Sequence, residues 1–150
     1  MPIKTLDELK ASVGREVAVS DWIEITQERI NQFADATGDH QWIHVDPARA
    51  ERDSPYGSTI AHGFLTLSLV PMFLKEAMQL ADVRMGINYG LNRVRFPDAV
   101  RPGDRIRARL AVLSTRDVAD ATEAVFSVTI ETQGSDKPCC VAEIVTRQYK

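Results

Sequence analysis

Thr37-Gly38-Asp39-His40-Gln41-Trp42-Ile43-His44-Val45-Asp46-Pro47 places two carboxylates and two imidazoles within eight residues, from Asp39 to Asp46. Asp39 and His44 are the residue types needed to share one water in general acid/base chemistry, because a histidine titrates close to neutral pH. On a continuous helix, residues five apart point about 140° away from each other and could not converge. Gly38 is a helix terminator, and Asp46-Pro47 reads as an N-cap followed by proline at a first helical position. The chain between them must therefore turn, and in a turn the two side chains can face one point. A plainer reading stays open, in which Asp39 is a polar helix-end residue and His44 a hydrogen-bonded turn histidine. Trp42 and Ile43 are expected to pack inward, Asp46 is assigned to capping, and His40 has no assigned task.

Three further groups could carry chemistry. His62-Gly63 stands where a helix begins, and glycine there lets a ligand approach backbone N–H groups that attract developing negative charge. The same glycine could serve only close packing of helix on sheet. Asn88 and Asn92, interleaved with Gly86 and Gly90, form a polar strip that could border a cavity or face solvent. Arg105, Arg107 and Arg109 form a basic row, which more often pairs with acidic residues such as Glu123 and Glu131 on the next strand than with phosphates. A phosphate-cradling glycine loop, a serine nucleophile elbow and a metal-ligand cluster are absent from the sequence.

The elements that must position these residues are legible in outline. Thr5 to Glu8 is a capping box that opens a short helix ending near Gly14. Val17, Val19 and Ile23 suggest a short strand, with Trp22 out of phase. Thr26 caps a second helix, whose apolar positions Ile30, Phe33, Ala34 and Thr37 follow helical spacing. Asp46-Pro47 launches a short helix through Arg52. After a turn-rich loop over residues 53–58, the chain reads from His62-Gly63 to about Leu80 as one long helix, apolar nearly all round in its first half and so expected to be buried on all sides. Pro71 should kink or break it. Four strands follow, over Met85 to Phe96, Arg105 to Val112, Glu123 to Glu131 and Cys139 to Arg147. The first carries a change of phase that a bulge would explain. One buried helix and four long strands imply an α+β architecture, a curved antiparallel sheet wrapped around a long central helix. One helix cannot cover such a sheet completely, which points to a homodimer.

The chain has 150 residues, 44% hydrophobic and 26% charged. That is ordinary globular usage and suits a single domain over residues 1–150 able to bury roughly two-thirds of its unfolded surface. A net charge of −3 gives no reason to expect nucleic acid or an anionic membrane as partner. No apolar run approaches the ~20 residues that cross a bilayer, and residues 1–16 lack the apolar core of a signal peptide. Cys139 and Cys140 are neighbours that would point to opposite faces of a strand, so they form neither a disulfide nor a zinc site. The expected setting is a reducing cytoplasm.

Phe33 to Ala50 resembles the signature of the MaoC-like dehydratases, the (R)-specific enoyl-CoA hydratases also called hydratase 2. Ala61-His62-Gly63 is similar to the second motif of that family. Asn88 to Phe96, followed by Pro102-Gly103-Asp104, resembles the branch containing NodN-like proteins and mycobacterial hydratases. The resemblance covers nearly the whole chain and implies a hot-dog fold, a homodimer and reversible syn hydration of a trans-2-enoyl-CoA to an (R)-3-hydroxyacyl-CoA. It implies that Asp39 and His44 hold and activate the water and exchange the C2 proton. It also implies that the Gly63 N–H polarises the thioester carbonyl, with His62 and Asn88 on the substrate side. No cofactor and no metal are implied; the partner is an acyl-CoA or acyl-carrier-protein thioester. Two positions depart from the family pattern. Gln41-Trp42 stands where many members have Asn-Pro, and Pro71 stands where some line the site with serine, with Ser68 nearby but unassigned. The competing expectations are a hot-dog thioesterase and a non-catalytic acyl-thioester binding protein.

Overall fold

A computed structural model describes residues 2–150. In chain order these form α1 (Leu6–Ala11), β1 (Glu16–Val19), β2 (Ile23–Glu24), α2 (Gln27–Thr37), α3 (Trp42–Val45), α4 (Pro47–Asp53), α5 (Gly63–Ser68), α6 (Val70–Ala77), β3 (Met85–Arg95), β4 (Arg105–Val118), β5 (Ala121–Thr132) and β6 (Cys140–Tyr149). The local signals hold. The Thr5 and Thr26 hydroxyls accept from the N–H groups of Glu8 and Arg29, each at 3.1 Å. Asp46 Oδ1 accepts from Arg49 N–H, also at 3.1 Å, and Pro47 follows as the first residue of α4.

The six strands make one antiparallel sheet in the order β1-β4-β5-β6-β3, with β2 also paired to β4. Alternation puts Ile106, Ala108, Leu110 and Val112 of β4 on the inner face, beside Ala124, Phe126, Val128 and Ile130 of β5 and Cys140, Ala142 and Ile144 of β6. Leu65, Val70, Phe73, Leu74 and Ala77 of α5 and α6 belong to the same core. Each buried valine, leucine, isoleucine or phenylalanine among these contributes roughly 1.5–3 kcal/mol by removal from water. On the outer face Arg107 and Arg109 both pair with Glu131, as the basic row leads one to expect. Glu123 instead pairs with Arg116 and Arg147, which are its register partners on β4 and β6.

Three expectations need correction. The long helix is two helices, because Pro71 cannot donate to the Leu67 carbonyl and the helix breaks at Leu69. It is not buried all round: Phe64 is 69% exposed and Met72 38%, because the sheet covers one side only. Trp42 and Ile43 are half-buried, and the residue of α3 that turns inward is His44. Trp42 lies instead under the Arg49 guanidinium, 4.3 Å from the ring centroid. The phase change in β3 resolves into two bulges, at Tyr89 and Asn92, where the register with β6 slips.

Candidate functional site

Gly38 sets the geometry. Its φ of 84° reverses the chain at the end of α2, a conformation that costs glycine little. Asp39 follows directly, and two residues later Gln41 is the N-cap of α3, the single turn that carries His44. The third residue arrives from the extended chain before α5, where His62 occupies the N-cap position. Asp39, His44 and His62 thereby each offer one ligating atom, all within 4.8 Å of one another.

Hydrogen bonds define the tautomers. His44 Nδ1 lies 2.6 Å from the Ile60 carbonyl oxygen. A carbonyl can only accept, so Nδ1 carries the hydrogen and Nε2 keeps its lone pair. His62 Nε2 lies 3.0 Å from the Asp39 backbone oxygen and so carries its hydrogen there, 4.0 Å from Asp39 Oδ2. His62 Nδ1 is buried without a partner among the described residues. The two rings stack with centroids 3.8 Å apart, and the Phe33 ring lies tilted against His62 at 4.9 Å. His44 is 7% exposed and His62 4%, whereas the Asp39 side chain is 53% exposed. Burial, followed by the neighbouring His62, pushes the His44 pKa below its ordinary value despite the bond to Ile60 and the charge of Asp39. The arrangement is a neutral, base-competent imidazole beside a solvent-accessible carboxylate. The same three side chains are chemically able to ligate a divalent ion.

Gly63 begins α5, in the turn whose N–H groups have no intrahelical acceptor. A Cβ there would come within 2.8 Å of the Phe96 ring, so the glycine is needed for close approach, not for an unusual dihedral angle. A cavity of about 370 Å³ lies beside it, lined by Ile60, Ala61, Thr66, Phe96 and Cys139 among others. Asn88 sits elsewhere, on the inner face of β3 opposite Thr146. There it borders two cavities of about 350 and 390 Å³ that share Pro71. Ser68 borders the smaller of these and donates its hydroxyl to the Leu65 carbonyl. His40 pairs with Asp35 at 2.9 Å on the surface, and that carboxylate raises its pKa. Gln27, Thr59 and Phe33 complete the surroundings of the two histidines. Nothing local in the sequence singles out Gln27 or Thr59, whose partners are distant along the chain.

Fold and site together define a hot-dog protein with an aspartate and a histidine poised at the start of its central helices. The MaoC like domain matches residues 8–134, and the chain belongs to this family. Over 145 residues it is 50% identical to 3-hydroxyacyl-thioester dehydratase Z of Mycobacterium tuberculosis, covering 96% of this chain and 95% of that protein. It is 44% identical over 140 residues to nodulation protein N of Rhizobium meliloti, covering 92% and 87%. Among solved structures, R-hydratase PhaJ1 of Pseudomonas aeruginosa superposes with a TM-score of 0.74 at 22% identity, over 92% of this chain and 82% of that one. The last comparison bears on the fold alone.

Proposed function

We propose that this protein is an (R)-specific enoyl-CoA hydratase, equally a 3-hydroxyacyl-thioester dehydratase. The observation that carries the reading is His44, whose Nδ1–H is committed to the Ile60 carbonyl so that Nε2 is left as a base beside Asp39. In the hydration direction the Asp39 carboxylate and His44 Nε2 hold one water. Nε2 takes a proton from it, and the oxygen forms a bond to C3 of the trans-2-enoyl thioester. The C2=C3 electron pair moves toward the thioester carbonyl, whose oxygen accepts from the Gly63 N–H. The proton on Nε2 then passes to C2, and the carbonyl is restored. Delivery of oxygen and proton from one side makes the addition syn, and the membership of the dehydratase family supports the (R) product. The proton taken from water ends on C2 and Nε2 is free again, so water and the thioester suffice without a cofactor. His62 supports the pair by holding the Asp39 backbone, and the cavity beside Gly63 gives the thioester a place next to that N–H. Asn88 borders the cavities further along α5 and α6, where it serves the acyl part of the substrate.

The acting unit in this reading is a homodimer. β3 is an edge strand with one side unpaired, and Met85, Ile87, Tyr89 and Leu91 stand exposed along it. Long apolar edges invite pairing, and a second copy can supply an antiparallel partner. Among the described residues no helix is long and apolar enough to cross a membrane. Cys139 and Cys140 are free and buried, with burial pushing their pKa values to about 11 and about 12, which fits a reducing cytoplasm.

The test is to add trans-2-butenoyl-CoA and a longer enoyl-CoA, follow loss of the conjugated thioester band, and determine product chirality. The expected result is an (R)-3-hydroxyacyl-CoA with no release of free thiol. An (S) product overturns the reading, and thiol release in place of hydration identifies a thioesterase. Binding without turnover identifies a non-catalytic thioester-binding protein.

A further inference from the structure

We infer that Gln27 is a positioning residue for His44, an assignment that takes its catalytic meaning from the hydratase reading. Gln27 is the first residue of α2 and reaches two separate stretches of chain with one amide. Its Nε2 donates to the His44 backbone carbonyl at 2.7 Å and to Asn31 Oδ1 at 2.9 Å. Its Oε1 accepts from the hydroxyl of Thr59, a residue only 2% exposed. The amide cannot be turned over, because Oε1 would then face the His44 oxygen and Asn31 Oδ1, both acceptors in this arrangement.

Thr59 directly precedes Ile60, and Ile60 is bonded twice to the His44 turn. Its N–H donates to the Ile43 carbonyl at 2.9 Å, and its carbonyl takes the His44 Nδ1 hydrogen. A closed set of bonds results, running from the His44 ring to Ile60, to Thr59, through the Gln27 amide and back to the His44 backbone. This matters because α3 is one turn, far shorter than a helix stable by itself. Where Nε2 points therefore depends on what grips the turn from outside. Gln27 hydrogen-bonds to neither the Asp39 carboxylate nor His44 Nε2. It acts through His44, by fixing the spacing between the ring and the carbonyl that selects its tautomer. Misplacement of a reacting group by about 1 Å can cost on the order of 100-fold in rate.

Gln27→Glu is the sharpest probe, since it keeps the shape but replaces the donor that faces the His44 carbonyl with an acceptor. Imidazole ¹⁵N NMR of the full-length protein reads the His44 tautomer without any assumption about activity. Wild type should show hydrogen on Nδ1 alone. Gln27→Glu should show a mixed or reversed population, and kcat should fall by about 10- to 100-fold with KM held within about 3-fold. Thr59→Val should shift both readouts in the same direction, and Thr59→Ser should restore them. An unchanged tautomer and kcat in Gln27→Glu overturn the inference, even if the variant melts at a lower temperature. If Gln27→Glu does not fold, Thr59→Val decides, and an unchanged His44 signal there overturns the inference. A wild type without hydratase activity whose His44 tautomer still depends on Gln27 overturns the functional reading and upholds the positioning.

Discussion

The imidazole of His44 lies nearly flat on that of His62, with centroids 3.8 Å apart and planes 22° from parallel. Two positive rings at this separation would repel strongly in a buried site, so the stack favours neutral His44. Burial acts in the same direction and is the larger cause. Hydration needs His44 unprotonated, so the acid limb of kcat/KM should fall below the ordinary histidine pKa of about 6.5. His62→Phe keeps a flat ring but removes the second imidazole, and its limb should move up only slightly. A limb at or above 6.5 in wild type would contradict the assignment of His44 as the base.

The same shift fixes a sign for stability. Since the folded pKa is depressed, the unfolded chain takes up the proton first as pH falls. The contribution is complete above about 6.5 and is lost as pH falls from there through the folded value. Thermal melts between pH 7.5 and pH 5 should show a decline in Tm that is shallower in His44→Gln. Equal slopes would assign the decline to other groups.

Asp39 and His44 act on one water, so their losses should not add. Either Asp39→Asn or His44→Ala should lower kcat by about 10²- to 10⁴-fold, within the range for a positioned acid or base. The double variant should be little worse than the poorer single one, as for groups that work as a unit. Rates measured under saturating enoyl-CoA decide it, and multiplying effects would mean that the two residues serve separate steps.

Gly63 is constrained by its neighbour Phe96. An added methyl would sit 2.8 Å from the ring, closer than carbon atoms approach without something moving. Overpacking of this kind typically costs about 1–3 kcal/mol. Gly63→Ala should therefore lower Tm and reduce kcat/KM by about 10-fold or more, as the loop holding Phe96 or the start of α5 gives way. Phe96→Leu should recover part of both losses. Failure of that rescue would place the harm at the backbone N–H itself.

How much of this was legible in the sequence depends on range. Thr26, Gly38 and Asp46-Pro47 announce their roles because capping and left-handed termination are settled within four residues. Pro71 announced the break at Leu69 for the same reason. Phe64 and Met72 misled because an apolar residue reserved for another surface has the same pattern as one in the core. Gln27 was invisible, since its partners His44 and Thr59 are 17 and 32 residues away and only the folded chain brings them together. His44 read as a candidate by type and spacing. Its depth, its tautomer and its stacking on His62 arise only when the fold brings Ile60 and His62 against it.

Asp39, His44 and His62 also form a set able to hold a divalent ion, and the proposed chemistry makes a testable distinction. If Nε2 is the base, an ion there removes the lone pair that the reaction needs. Exhaustive dialysis against EDTA should leave kcat/KM unchanged, and added Zn²⁺ should inhibit. Activity lost to EDTA and regained with metal would instead make the three residues a ligand set.

The exposed edge of β3 gives the last prediction. Leu91 lies on this edge strand with its side chain half in solvent, past the bulge at Tyr89 that moves it from the face of Met85 and Ile87 to the face of Ile144. A lysine on such an edge opposes pairing, because association would strip water from the ammonium group without supplying a partner. Light scattering of the wild type should report twice the 16.7 kDa chain mass, and Leu91→Lys should shift it toward the monomer. The shift should deepen on dilution, since the equilibrium depends on protomer concentration. Circular dichroism should stay close to wild type, because Leu91 is not among the buried residues of the core. A monomeric wild type would leave the β3 edge without a second copy to cover it. A variant that remains dimeric would move the contact to another face, where the exposed Phe64 on α5 is the next place to substitute.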